Sequence, residues 1–295
     1  MHPIFLAAIA ILSLSVAAPV ARAQNLHEIP SDLTVPPATD EKPAAGRRVK
    51  IQLPEFSGSS LFHVLYLPPG WSSGKKYPVI VEYPGNGGFS NRLGDKSTGR
   101  VEDCELGYGI SGGLDFIWVC LPFVDQVSKS HALQWWGDAD ATAAYCRGAV
   151  RQICEEFGGD RDRLVLTGFS RGAIATSYIG LRDEETAKLW RVIIAHSHFD
   201  GVRRWDYPGS DSDSARNRLA RLKGRPLYVS HESSVEETRK FLESAGIVAS
   251  HHPLPWPNHS ADWVLKDVPE RAELRRWLAE SLRRTELEAG NSASR

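Results

Sequence analysis

A chain of 295 residues has room for one large α/β domain or two small ones, and its 42% hydrophobic and 24% charged content is that of an ordinary globular protein rather than a disordered one. Thirty-five basic residues face thirty-six acidic ones, a formal charge of −1 with no long run of either sign. That balance argues against nucleic acid or an anionic membrane surface as the main partner.

The first 23 residues stand apart. Ile4 to Ala21 is apolar except for Ser13 and Ser15, and "ARA" precedes Gln24. This reads as a secretory signal (1–23) cleaved after Ala23, with a secreted or periplasmic product that keeps no stable membrane association. The n-region carries neither Lys nor Arg, so an uncleaved anchor helix is the alternative. Export would permit disulfides among Cys104, Cys120, Cys146 and Cys154. Cys146 and Cys154 fall on one expected helix, too far apart to bond each other. If all four pair, Cys104 therefore bonds one of them and Cys120 the other; free buried thiols are the alternative. The chain has no C-x-x-C pair to suggest a zinc or redox site.

Residues 24–46 are rich in Pro and polar side chains and read as an extended arm, ahead of a single domain over 47–285 and a C-terminal tail over 286–295. Within the domain, strand signals appear in "RVKIQLPEF", "SLFHVLYLPPG", "YPVIVEYPG", "LDFIWVCLPF", "DRLVLTGFS", "WRVIIAHS", "RPLYVSHE" and "IVASHHPLP". Helical patterns occupy 138–157, 171–181, 234–245 and 261–284. Strands separated by helices predict a mostly parallel central sheet covered on both faces, with ligands at the carboxyl ends of the strands. The glycine-rich "GYGISGG" at 107–113 precedes a strand rather than joining strand to helix, and reads as a turn.

"LTGFSRGAIA" (166–175) places Ser170 where a strand becomes a helix. Such a tight turn crowds the positions two before and two after the serine, and Gly168 and Gly172 relieve it. The hydroxyl is then exposed at a helix N-terminus, where negative charge is favoured. That context predicts a nucleophile.

Together with "EYPGNGG" and "PNHSADW", the "GFSRG" segment resembles the α/β-hydrolase fold serine esterases over nearly the whole mature chain. The layout is similar to secreted polyhydroxybutyrate depolymerases and feruloyl or acetylxylan esterases. The resemblance implies a nucleophile–acid–histidine order with no cofactor and no metal. It points to His259 as the base, in a turn-rich loop after the last strand; His251 and His252 sit in or beside a strand and are poorer candidates. For the acid, the segment after "RPLYVS" contains no Asp, which leaves Glu232 as first choice and Asp200 as the alternative. An oxyanion hole would use the backbone of Arg171 and of Asn86 or Gly87. The Arg171 side chain is expected in a scaffold salt bridge, or reaching into the cleft.

The substrate expected is a small-molecule or carbohydrate ester, with Trp135, Trp136 and Trp256 as candidate binding residues and Trp205 nearby. Three rivals remain. A serine peptidase on the same fold would use the same triad but usually carries an added domain. A non-catalytic binding protein would be expected to lack Ser170 or His259. A metal-dependent hydrolase could use His196, His198 and Asp200. Oligomeric state is not readable from the sequence.

Overall fold

A computed structural model describes residues 24–293, with the backbone alone from 286 onward. The expected signal segment lies outside the described residues. Among the described residues no helix is long and apolar enough to cross a membrane.

All eight strand segments form strands: β1 Arg48–Ile51, β2 His63–Tyr66, β3 Tyr77–Tyr83, β4 Ile117–Cys120, β5 Gly159–Phe169, β6 Val192–His196, β7 Leu227–Glu232 and β8 Ser250–Leu254. They make one eight-stranded sheet in the order β1-β2-β4-β3-β5-β6-β7-β8. β1 and β2 pair antiparallel, β2 joins β4 antiparallel, and every later pairing is parallel. The parallel strands are apolar on both faces because helices cover both.

The alternation of side chains across each strand sorts the core into two layers. Val79, Val81, Ile117, Val119, Leu164, Leu166, Ile193 and Ala195 point one way, toward helices α2 (Ala139–Glu156) and α3 (Arg171–Tyr178). Ile80, Trp118, Val165, Ile194 and Tyr228 point the other way, toward α1 (Leu106–Ser111) and α7 (Pro269–Ala293). The remaining helices are α4 (Glu184–Ala187), α5 (Ser212–Leu219) and α6 (Glu236–Ser244).

The two layers decide between the two readings of the cysteines. Cys146 and Cys154 lie in the α2–α3 layer, while Cys104 and Cys120 lie in the α1–α7 layer with the sheet between. No cross-pairing can form, and all four thiols are free and buried.

Two further expectations change. Only the end of "GYGISGG" is a turn, at Gly112 (φ 66°) and Gly113 (φ 69°); its first part is α1, where two glycines serve close packing. A Cβ at Gly107 would lie 2.2 Å from Trp118, and one at Gly109 2.2 Å from Val264. The last helix starts at Pro269, after a 3-10 turn at Asp262–Leu265, and runs to Ala293 through the expected tail. The arm docks along the fold. Leu26 is buried, Arg271 grips the Asp32 carboxylate at 2.7 and 2.8 Å, and Lys266 Nζ donates to the Ile29 carbonyl at 2.8 Å.

Candidate active site

The strand-to-helix turn after β5 holds Ser170 at φ 54°, ψ −114°, a conformation a non-glycine residue adopts only at a cost. The fold imposes it. A Cβ at Gly168 would sit 2.2 Å from the Gly172 carbonyl, and a Cβ at Gly172 only 2.0 Å from the Tyr83 carbonyl oxygen. With glycine at both places, α3 packs directly onto the ends of β3 and β5. The Ser170 amide donates to the His196 carbonyl at 2.9 Å. The hydroxyl is thereby fixed at the carboxyl end of the sheet, where the first turn of α3 begins.

His259 comes from the loop between β8 and the Asp262–Leu265 turn, 89 residues further along the chain. Its Nε2 lies 3.0 Å from Ser170 Oγ and its Nδ1 lies 2.6 Å from Glu232 Oε1. Phe89 and Phe169 flank the ring at centroid distances of 4.9 and 4.8 Å. Glu232 stands at the carboxyl end of β7. Burial alone would push its carboxyl up, but the hydrogen bond and charge of His259, with His196 and His231 nearby, outweigh burial and hold it well below the ordinary carboxylate range. A hydroxyl, an imidazole and an ionised carboxylate in this chain of contacts can pass a proton from oxygen to nitrogen and stabilise the resulting cation.

Asp200 does not join them. It is fully buried, its carboxylate accepts from Arg218 at 2.8 and 3.1 Å and from Ser177 at 3.0 Å, and it serves as the ionic tie between the β6 loop, α3 and α5. His196 is likewise in the core, its Nδ1 3.0 Å from Ser230 Oγ, whereas His198 faces the cavity 5.1 Å from the His259 ring. The supposed triad of His196, His198 and Asp200 is thus divided between separate environments. Among the described residues the one cluster with ligand atoms close enough for a metal is Glu82, Cys104 and Cys120. There the Glu82 carboxylate already accepts from the amides of Glu105, Leu106 and Gly107 and from the Trp118 indole, and Arg48 lies against Cys120. A guanidinium beside the thiol and a carboxylate already saturated with donors suit a helix anchor better than a cation site.

Arg171 follows neither expected course. Its side chain is 1% exposed, donates from Nη1 to the carbonyls of Ala132 (3.1 Å) and Trp135 (2.6 Å), and stacks over Phe123 at 4.0 Å. Burial without a neighbouring acid lowers its pKa to about 9. Its role is to hold the 132–135 loop, and that loop in turn meets the "PGNGG" segment. The Gly87 amide donates to the Leu133 carbonyl at 2.8 Å, so it is not free for a ligand, and a Cβ there would strike the carbonyls of Leu133 and Thr98 at 2.6 Å. Asn86, whose Oδ1 accepts from the Trp135 amide at 2.8 Å, lines the cavity beside Ser170.

That cavity has a volume of about 360 Å³ and an apolar wall of Phe89, Trp135, Ile174 and Trp205. Trp136 and Trp256 are not part of it. Trp136 is buried against Phe123, Tyr178 and Tyr207, and Trp256 is buried in the α1–α7 layer. Sequence reasoning missed Asp95, which holds the histidine loop from behind. Its carboxylate accepts from the His259 amide (2.8 Å), from Asn258 Nδ2 (2.8 Å) and from Asn91 Nδ2 (2.7 Å), and meets His27 Nε2 at 2.8 Å. Burial works to raise its pKa, yet these donors together bring it below the ordinary value.

No protein-family model matches the sequence, and no curated protein matches it. Solved structures do match. A dipeptidyl aminopeptidase IV from Bacteroides ovatus superposes with a TM-score of 0.54 at 17% identity, over 80% of this chain and 35% of that one. One of two fungal esterases from Rhizomucor miehei gives 0.55 at 13% identity, over 83% and 86%. Esterase B from Lactobacillus rhamnosis gives 0.51 at 15%, over 87% and 93%. The chain therefore spans about a third of the peptidase and most of each esterase. Identities this low speak to architecture alone. Strand order, the single antiparallel excursion at β2 and these superpositions agree: the chain has the α/β-hydrolase fold.

Proposed function

We propose that the protein is a serine carboxylic ester hydrolase in which Ser170 is the nucleophile, His259 the general base and Glu232 the acid. The observation that carries this reading is the unbroken contact from Ser170 Oγ through both imidazole nitrogens to Glu232, opening on a cavity. Ser170 attacks the ester carbonyl while its proton passes to His259 Nε2. The tetrahedral oxyanion is met by the backbone amides of Arg171 and Asn86, and the imidazolium returns its proton to the leaving alcohol. Water, activated by the same nitrogen, then cleaves the acyl-enzyme. This chemistry requires no cofactor. The aromatic wall formed by Phe89, Trp135 and Trp205 favours small acyl or aryl esters, including those carried on carbohydrate. The leader of residues 1–23 assigns the enzyme to the periplasm or exterior.

The test is turnover of a series of p-nitrophenyl esters by wild type, Ser170→Ala and His259→Ala, with and without EDTA. Each substitution should cost at least about a thousandfold in kcat, and chelation should change nothing. Activity surviving in Ser170→Ala, or lost to EDTA, would defeat the proposal. The peptidase neighbour motivates a second arm with p-nitroanilide dipeptides; faster cleavage of these than of the esters would reassign the enzyme to amide bonds.

A further inference from the structure

Directly after β6, Ser197 is fully buried and holds φ 84°, a left-handed backbone that serine enters only under constraint. The constraint is visible: its amide donates to the Ser230 carbonyl of β7 at 2.8 Å, which fixes the turn. The strained conformation brings Ser197 Oγ to 2.6 Å from Glu232 Oε2 and 2.7 Å from His259 Nδ1. Since Glu232 Oε1 takes the other contact with Nδ1, the hydroxyl bridges acid and base on the side away from Ser170.

From this geometry we propose that Ser197 is a fourth, positioning member of the Ser170–His259–Glu232 assembly, stabilising the ion pair that forms during proton transfer. The inference rests on the hydrolase reading above. A hydroxyl can donate once and accept at its lone pairs. A carboxylate only accepts, so the Ser197 hydrogen points to Glu232 Oε2 and its oxygen is left to accept from His259 Nδ1–H. The O–H dipole thus lies with its positive end on the carboxylate and its negative end on the imidazole. That orientation favours the tautomer with an unprotonated Nε2, the one able to take the Ser170 proton. It also favours both charged partners once the proton has moved. Two short contacts to charged groups, made by a residue held in a costly conformation, are hard to account for by packing alone.

The experiment compares wild type with Ser197→Ala and Ser197→Gly. Glycine adopts φ 84° without strain, so the second variant removes the hydroxyl while sparing the fold. Both should lower kcat about 10–100-fold, the range for loss of hydrogen bonds to charged groups, with KM changed less than about twofold. The acidic limb of the kcat/KM profile should move to lower pH, because the imidazolium loses an acceptor. Other titratable groups facing the pair are His196, His198, His231 and Asp95, all retained, so a moved limb reports the hydroxyl itself. Ser197→Gly should match or exceed the wild-type Tm while remaining slow. An unchanged kcat in Ser197→Gly, or a loss accounted for by a smaller fraction of fluorophosphonate-reactive enzyme with an unmoved limb, would overturn the proposal. A wild type that neither cleaves esters nor reacts with fluorophosphonate would instead overturn the hydrolase reading, and this inference with it.

Discussion

Glu232 ends β7 partly buried, Asp200 lies fully buried in the loop after the neighbouring β6, and their environments separate them. Glu232 faces imidazoles, whereas Asp200 faces a guanidinium that neutralises it. Glu232→Gln keeps the shape but loses the charge, and should reduce kcat about 100- to 10,000-fold. Asp200→Asn should leave the chemistry nearly intact but cost about 3 kcal/mol, because Arg218 is stranded beside a neutral group. Stopped-assay kinetics on the two variants give opposite patterns if the assignment is right. Because the Glu232 carboxyl is held below its ordinary value of 4.5, to about 2, its ionisation stabilises the fold fully above pH 4.5. That contribution should fade as the pH falls through the interval between those values, and Glu232→Gln should flatten this part of the Tm–pH curve. The sequence could narrow the acid to these two residues but no further. Their contacts are set by α5 and by the histidine loop, which lie far along the chain.

At the scale of elements, the nucleophile turn was legible because its signature is local: a strand, two glycines two residues either side of a serine, and a helix. Gly172→Ala should be severely destabilising, since its Cβ would fall 2.0 Å from a backbone oxygen that cannot swing away. Soluble yield and Tm would register this. The same residue type misled at α1, where glycines normally taken as punctuation permit contact with Trp118 and Val264 instead. The histidine loop was legible only in part. His259 stood out by its position, but Asp95 lies 164 residues upstream in the long connector from Gly85 to Asp115, where no local pattern singles it out. Asp95→Ala should leave the triad residues in place chemically while loosening the loop that carries His259. We expect at least a tenfold loss in kcat/KM together with a lower Tm.

Across the whole molecule, alternating strand and helix signals foretold the parallel sheet, since each strand pattern reports burial on both faces. Which face each residue would occupy was not legible, and the cross-paired reading of the cysteines failed on that point. The sheet separates the two pairs, and burial keeps them inert, raising Cys104 well above the ordinary thiol value and Cys146 to about 12. All four thiols should resist a thiol reagent in the folded protein and react after denaturation. Trp136 and Trp256 were drawn toward the substrate for a similar reason: nearness to a loop in sequence does not reveal depth. The arm ties the molecule together over the greatest distance, since Asn25 and Leu26 meet Asn258 next to the base. Removing residues 24–33 should lower Tm by at least about 5 °C, through exposure of Leu26 and loss of the Asp32–Arg271 pair.

The account stands on one atom, Ser170 Oγ, being made nucleophilic by His259. Its most direct measurement is the mass of the protein after exposure to a fluorophosphonate, followed by peptide mapping. The expected result is a single adduct on the peptide containing Ser170, absent in Ser170→Ala and greatly slowed in His259→Ala. An unlabelled wild type, or an adduct on any other residue, would contradict it.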